Sequence, residues 1–152
     1  MPEVVIADAS CLIVLTKIGE LDVLRRLYGT VLTTPVVAAE FGRPLPEWLH
    51  LESARDTRKE QELARQLDAG ESSAIALGLE RPNSTVILDD YKARQVAERL
   101  GVQLTGTLGV LIRAAKKGVV PALRPLLDRI RETDFRFSRE LEALALQAVG
   151  ES

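Results

Sequence analysis

The sequence predicts an α/β protein, a three-layer αβα sandwich built on a parallel sheet of four to five strands. Three observations lead to this fold class. Val4-Val5-Ile6 and Val86-Ile87-Leu88 are continuous apolar runs, too hydrophobic for strands with one wet face. Helical patterns separate the strand-like runs, and parallel strands require such crossovers. Both apolar runs end in acid, at Asp8 and at Asp89-Asp90, where the crevice of an open parallel sheet lies.

Taken in order, Glu3 to Ala7 reads as the first strand and Asp8 ends it. Ser10 is suited to cap a helix through about Lys17, which Gly19 stops. Leu21, Leu24 and Leu27 share one face of a second helix from Glu20 to Tyr28. Thr30 to Thr33 is a second strand, and Pro35 opens a helix to Phe41 because proline suits a first helical position. Leu49 to Ser53 is a minor strand. Asp56 to Leu67 is a polar helix, and Asp68 to Glu71 starts another that runs to about Glu80. Arg81-Pro82-Asn83-Ser84 is a turn. Thr85 to Leu88 is the next strand, followed by a helix to Leu100. Gly101 precedes a strand over Val102 to Leu104, and Gly106-Thr107 leads a helix to Lys117. Two further helices cover Ala122 to Thr133 and Ser138 to Val149.

Composition narrows the chemistry. The 152 residues are 46% apolar and 28% charged, a globular balance rather than a disordered one. A net charge of −2 excludes bulk-charge coating of nucleic acid, and 4% aromatics argues against a base-stacking platform. One cysteine and one histidine exclude disulfide scaffolds, zinc clusters and Cys–His pairs, leaving carboxylates to do any chemistry. No stretch reads as a signal peptide or membrane span, and the lone thiol suits the cytoplasm.

Five carboxylates stand out. Asp8 lies at the rim of the sheet, either as a helix cap or as a functional group. Within Asp89-Asp90 one member can cap the following helix while the other remains free; the two repel unless a cation offsets them. Glu40 sits in the apolar stretch Val36 to Phe41, which predicts a partly buried carboxylate in need of a partner. Asp68-x-x-Glu71 has the pattern of a capping box. Together these groups suit a hard divalent ion, Mg²⁺ or Mn²⁺, and phosphoester hydrolysis by a metal-activated water.

The motifs Asp8-Ala9-Ser10, Glu40, Gly70-Glu71-Ser72-Ser73-Ala74, Leu88-Asp89-Asp90-x-x-Ala93-Arg94 and Thr105-Gly106-Thr107-Leu108-Gly109 resemble, in this order, those of PIN-domain proteins. The similarity spans about residues 3 to 120 and points to the subgroup related to VapC-type toxins. It implies a Rossmann-like parallel sheet, Mg²⁺- or Mn²⁺-dependent endoribonuclease activity on RNA, a homodimer and, for toxins of a toxin–antitoxin pair, an antitoxin protein that blocks the site. It implies Asp8, Glu40, Glu71, Asp89 and Asp90 as catalytic acids, with Asp8, Glu71, Asp89 and Asp90 as metal ligands. Ser10 and Thr107 become hydroxyls near the metal, each with helix capping as the alternative. Glu71 stands where many relatives have aspartate, and Leu88 where many have a hydroxyl residue, so either Asp89 or Asp90 is the ligand. These departures keep open a degenerate module that binds RNA or a protein without cleavage.

Residues 1–120 are thus expected to form a PIN-like metal-binding domain, with a helical segment, residues 121–152, packed on it. Eight of the 20 lysines and arginines fall within residues 113–139, a stretch suited either to an RNA backbone or to a solvated face. Lys92 and Arg94 are candidate phosphate contacts or counter-charges for the acidic pair. Gly106-x-x-Gly109 reads as close packing or an anion-binding turn. Trp48, His50 and Cys11 read as structural. A phosphoacceptor receiver or aspartyl phosphatase fits less well, because no second aspartate follows Asp8 two residues on.

Overall fold

A computed structural model describes residues 3–151. Five strands form one parallel sheet in the order β3-β2-β1-β4-β5: β1 (Val4–Ala7), β2 (Thr30–Thr33), β3 (Leu49–Leu51), β4 (Ser84–Ile87) and β5 (Leu104–Thr105). The helices are α1 (Ala9–Lys17), α2 (Val23–Leu27), α3 (Pro35–Phe41), α4 (Thr57–Leu63), α5 (Ala69–Glu80), α6 (Tyr91–Arg99), α7 (Thr107–Lys116), α8 (Arg124–Arg131) and α9 (Arg139–Ala148). This is the expected three-layer α/β arrangement.

The layers follow from the two-residue period of the strands. Val5, Ala7, Val31 and Ile87 face one buried cluster, which they share with α1, α3, α7, α8 and α9. Ile6, Leu32 and Val86, with Leu88 just beyond β4, face the other, against α5 and α6. Continuous apolar strands are the consequence of covering both faces. Leu126, Leu127, Ile130, Ala145 and Leu146 lie in the first cluster with the sheet. None of the helices among the described residues is long and apolar enough to cross a membrane.

Several boundaries differ from the expectation. The second helix starts at Val23 rather than Glu20, because Glu20 N–H closes onto Leu15 O and residues 20–24 make i→i+3 turns first. The fourth ends at Leu63 rather than Leu67; Arg65 and Gln66 donate to Glu62 and Leu63, tightening the chain out of the helix. The later apolar strand ends at Ile87, so Leu88 separates it from the acidic pair.

Strand order places the topological switch between β1 and β4, since the chain leaves β1 to one side for β2 and β3 and to the other for β4 and β5. Such a switch opens a crevice at the carboxyl ends of the two central strands.

Gly78 sets how closely α5 lies on the sheet. A Cβ there would stand 2.6 Å from Val86 Cγ2, and Val86 is fully buried. Gly78→Ala gains about 1 kcal/mol of helix propensity and loses about 1–3 kcal/mol to overpacking, so a net loss is expected. Urea denaturation checks it; an unchanged or higher midpoint would show that α5 shifts freely.

Candidate active site

Burial and capping decide where each acid goes. Asp8 takes the N-cap position of α1 with extended backbone, but its side chain makes no capping hydrogen bond. Its carboxyl is therefore left for the crevice although the residue is 7% exposed. Ser10, expected as a cap, lies inside α1 and instead donates its hydroxyl to Asp89 Oδ2 at 3.0 Å.

The two members of Asp89-Asp90 have different tasks. Asp90 is the N-cap of α6, accepting from Ala93 N–H at 2.9 Å. Asp89 reaches across to α7 and accepts from Thr107 N–H at 2.8 Å and from the Thr107 hydroxyl at 2.6 Å. Thr107 is thus no cap itself; its fully buried hydroxyl is a donor to Asp89, which caps α7 in its place.

On the other wall, Asp68 and Glu71 form the expected capping box: Glu71 N–H donates to Asp68 Oδ1 at 2.8 Å, and Asp68 N–H donates more weakly to Glu71 Oε1 at 3.3 Å. Glu40 corrects the expectation of a partly buried carboxylate. α3 buries Val37 and Phe41, whereas Glu40 is exposed and lies over the start of α5. There Gly70 permits close approach, since a Cβ would stand 2.6 Å and 2.8 Å from the Glu40 carboxylate oxygens.

Asp8, Glu40, Glu71, Asp89 and Asp90 all line one cleft of about 670 Å³, with Ser10 beside them. The same cleft is lined by Asp68, Lys17 and the segment Thr133, Asp134, Phe135 and Arg136. Arg136 belongs to the basic stretch the sequence marks as suited to an RNA backbone; the sequence reading does not single out the others, although Asp68 carries a visible signal as the partner of Glu71. Lys92 and Arg94 do not line the cleft. Arg94 instead donates to Leu88 O at 2.7 Å, which fixes the chain before the acidic pair. The basic stretch is largely committed elsewhere. Arg113 pairs with Glu3 and lies over the Tyr28 ring, Arg129 donates to Ile18 O, and Arg131 pairs with Glu142. His50 is exposed on edge strand β3, and Cys11 is fully buried.

Crowding raises the acids. Burial, then repulsion from Asp68, Glu40 and Asp89, pushes the Asp8 carboxyl up to about 7 against a hydrogen bond from Ala9 N–H. Burial, then repulsion from Asp68, takes Glu71 to about 7 as well. Glu40, though exposed as a residue, is also raised, by partial desolvation of its carboxyl where it lies against α5 and then by Asp68, against the Gly70 N–H. The donor set is entirely oxygen, the chemistry hard divalent ions select. Among the described residues no three His, Cys, Asp or Glu side chains form a ready-made cage. An ion that keeps several waters and takes only one or two carboxylates fits such an open site.

A carboxyl whose folded pKa is raised holds its proton while the unfolded chain has already released it. The contribution of Asp8 and Glu71 to the stability of the metal-free protein therefore falls as pH rises from about 4 to about 7 and is level above that. Asp8→Asn removes the buried charge and should raise stability at pH 8 in EDTA by the order of 2 kcal/mol. A variant no more stable than the parent, in parallel denaturation curves, would contradict the raised Asp8.

The model of the family DUF3368, described as a PIN domain, matches residues 4–151. None of the curated proteins compared matches the chain. PIN domains are generally nucleases that bind nucleic acid and typically use divalent metal ions. With the parallel sheet and the acid-lined crevice at its switch point, the match over nearly the whole length means that this chain belongs to the PIN-domain family.

Proposed function

We propose that the chain is a Mg²⁺- or Mn²⁺-dependent endoribonuclease that hydrolyses RNA phosphodiesters in the cleft between β1 and β4. The observation that carries this reading is the convergence of Asp8, Glu71, Asp89 and Asp90, with Glu40 beside them, in one cleft at the carboxyl edge of the sheet. RNA as substrate comes from the resemblance to toxin relatives. That resemblance extends the proposal to a cytoplasmic homodimer whose cleft an antitoxin protein would cover.

Asp8, Glu71, Asp89 and Asp90 are the residues that would hold the ion. When bound, such an ion supplies a nucleophilic water near neutral pH and charge compensation for the leaving oxygen. The protein's own share is positioning. Ser10 and Thr107 hold Asp89 in one orientation, so its carboxylate needs no reorganisation when charge arrives. Asp8 is fixed by the strand end before it and the helix after it, and with its carboxyl raised to about 7 it carries a proton in a large share of molecules near neutrality. Glu71 has a longer reach than aspartate, which offsets its attachment to α5 rather than to a strand end.

The test is calorimetric titration of Mn²⁺ into the protein beside Asp8→Asn, with a structured RNA incubated in parallel. Wild type should bind, and Asp8→Asn should lose binding and at least about 100-fold in cleavage rate. Asp90→Asn separates two roles, because asparagine caps helices as well as aspartate but carries no charge. If Asp90 is a ligand, its variant loses Mn²⁺ affinity while its melting temperature holds. No heat from wild type at millimolar Mn²⁺ sinks the catalytic reading.

A further inference from the structure

The cleft follows one face of α1. Ser10, Ile13, Val14 and Lys17 all line it, the i, i+3, i+4, i+7 pattern of a helix stripe. Asp8 is the N-cap of the same helix, and Lys17 lies roughly 13 Å further along the axis. Along α1 the groove thus runs from an acid to a base, and its opposite wall brings Asp134 as well as Arg136.

The other wall at the basic end is the strap between α8 and α9. Arg129 ties α8 to the end of α1 by donating to Ile18 O at 2.6 Å. Immediately beyond α8 the strap is folded on itself. Thr133 donates to Ile130 O at 2.6 Å and accepts from Phe135 N–H at 3.1 Å. Phe135 packs on the core and lies 6.5 Å from the Phe137 ring. Arg136 Nη1 donates to Thr133 O at 2.7 Å, which leaves the remainder of the guanidinium beside the cleft.

Charge makes this end informative. Of the fifteen residues lining the cleft, seven are acidic and two are basic. Among the described residues, neither Lys17 nor Arg136 is in ion-pair distance of any carboxylate, although both share a cleft with seven. Arg113, Arg129 and Arg131 by contrast are each paired with a glutamate. A polyanion entering this cleft meets repulsion at every phosphate that a metal ion does not offset. The two cations held apart from the carboxylates are suited to take those phosphates.

We propose that Lys17 and Arg136 hold the phosphodiester backbone of a bound nucleic acid along α1, away from the acidic end of the cleft. The inference rests on the nuclease reading for its ligand class, and it adds two positioning residues from opposite ends of the chain. Lys17 offers a point charge, and Arg136 a planar donor fork already oriented by the strap.

The probe is a short fluorescein-labelled uridine oligoribonucleotide, with the matching oligodeoxyribonucleotide, followed by anisotropy in EDTA so that no cleavage occurs. Lys17→Gln/Arg136→Gln should weaken binding of both oligonucleotides about tenfold or more and flatten the log–log salt slope by about 1.4, two phosphate contacts on a single strand. Lys17→Arg/Arg136→Lys keeps both charges and should restore the salt slope and part of the affinity, which loss of a merely structural role would not predict. Arg58→Gln, exposed on α4, serves as the control and should match wild type. Unaltered melting temperature and Mn²⁺ binding in the double variant exclude misfolding.

If the double variant binds as wild type does, the proposal is overturned, and Mn²⁺-dependent cleavage by wild type would still leave the nuclease reading intact. A loss confined to the ribo-oligonucleotide overturns it too, because phosphate contacts are common to both probes. If binding falls as expected but no divalent ion supports cleavage, the phosphate rim stands and the nuclease reading fails.

Discussion

Asp89 accepts hydrogen bonds from the Ser10 hydroxyl on α1 and from both the N–H and the hydroxyl of Thr107 on α7. One carboxylate thereby fastens the chain beyond β4 to two helices that start on either side of it. Charge-assisted bonds are the stronger kind, and leaving a buried hydroxyl or amide without a partner is costly. The mouth of the cleft is therefore tied to α1 and α7 by three hydrogen bonds to one carboxylate. Asp8 benefits directly, since its helix is held two residues downstream, at Ser10.

The same edge explains how so many carboxylates gather in one place. Asp8, Asp68, Asp90 and Gly106 are the N-cap residues of α1, α5, α6 and α7. These four helices begin at the carboxyl edge of the sheet, so each aims its partly positive end there. Asp68, Asp90 and, toward α7, Asp89 accept backbone N–H donors at those ends. Capping and function are not competing explanations at such an edge. The fold gathers acids as caps, and whatever charge the caps leave uncompensated is available to a cation. Asp8 is the extreme case: it takes the cap position, forgoes the side-chain bond and is pushed up to about 7.

Much of this was legible because it is local. Apolar strands ending in Asp8 and near Asp89, Pro35 opening a helix and the Asp68–Glu71 box all involve neighbours a few residues apart. The errors are of a different kind. Glu40 was expected to be partly buried because its neighbours are apolar, but α3 turns Val37 and Phe41 inward and Glu40 outward. Its place over Gly70 depends on contact between α3 and α5, which no local pattern encodes. The basic stretch of residues 113–139 had the right composition for a polyanion surface. Tertiary partners more than a hundred residues away, Glu3 for Arg113 and Ile18 O for Arg129, hold two of its members, while Arg136 lines the cleft. The motifs between Asp8 and Gly109 mark acids and their hydroxyl partners, not the walls of the cleft.

Those walls come from the far end of the chain. Leu126, Leu127 and Ile130 of α8 are buried in the cluster that also holds Val5, Leu12 and Leu15, so α8 is anchored by the core of the sheet itself. An anchored α8 leaves the short strap after it little choice of path, and Phe135 pins that strap against the same cluster. Arg136, with Asp134 beside it, consequently reaches a cleft whose other acids lie between residues 8 and 90. Lys17 arrives from the opposite direction, carried one helix length from Asp8. A groove that is acidic at the strand ends and basic along α1 thus follows from two ordinary packing facts: an apolar helix laid on a sheet, and a C-terminal helix laid beside it. The positions of its charges are set by the buried leucines behind them.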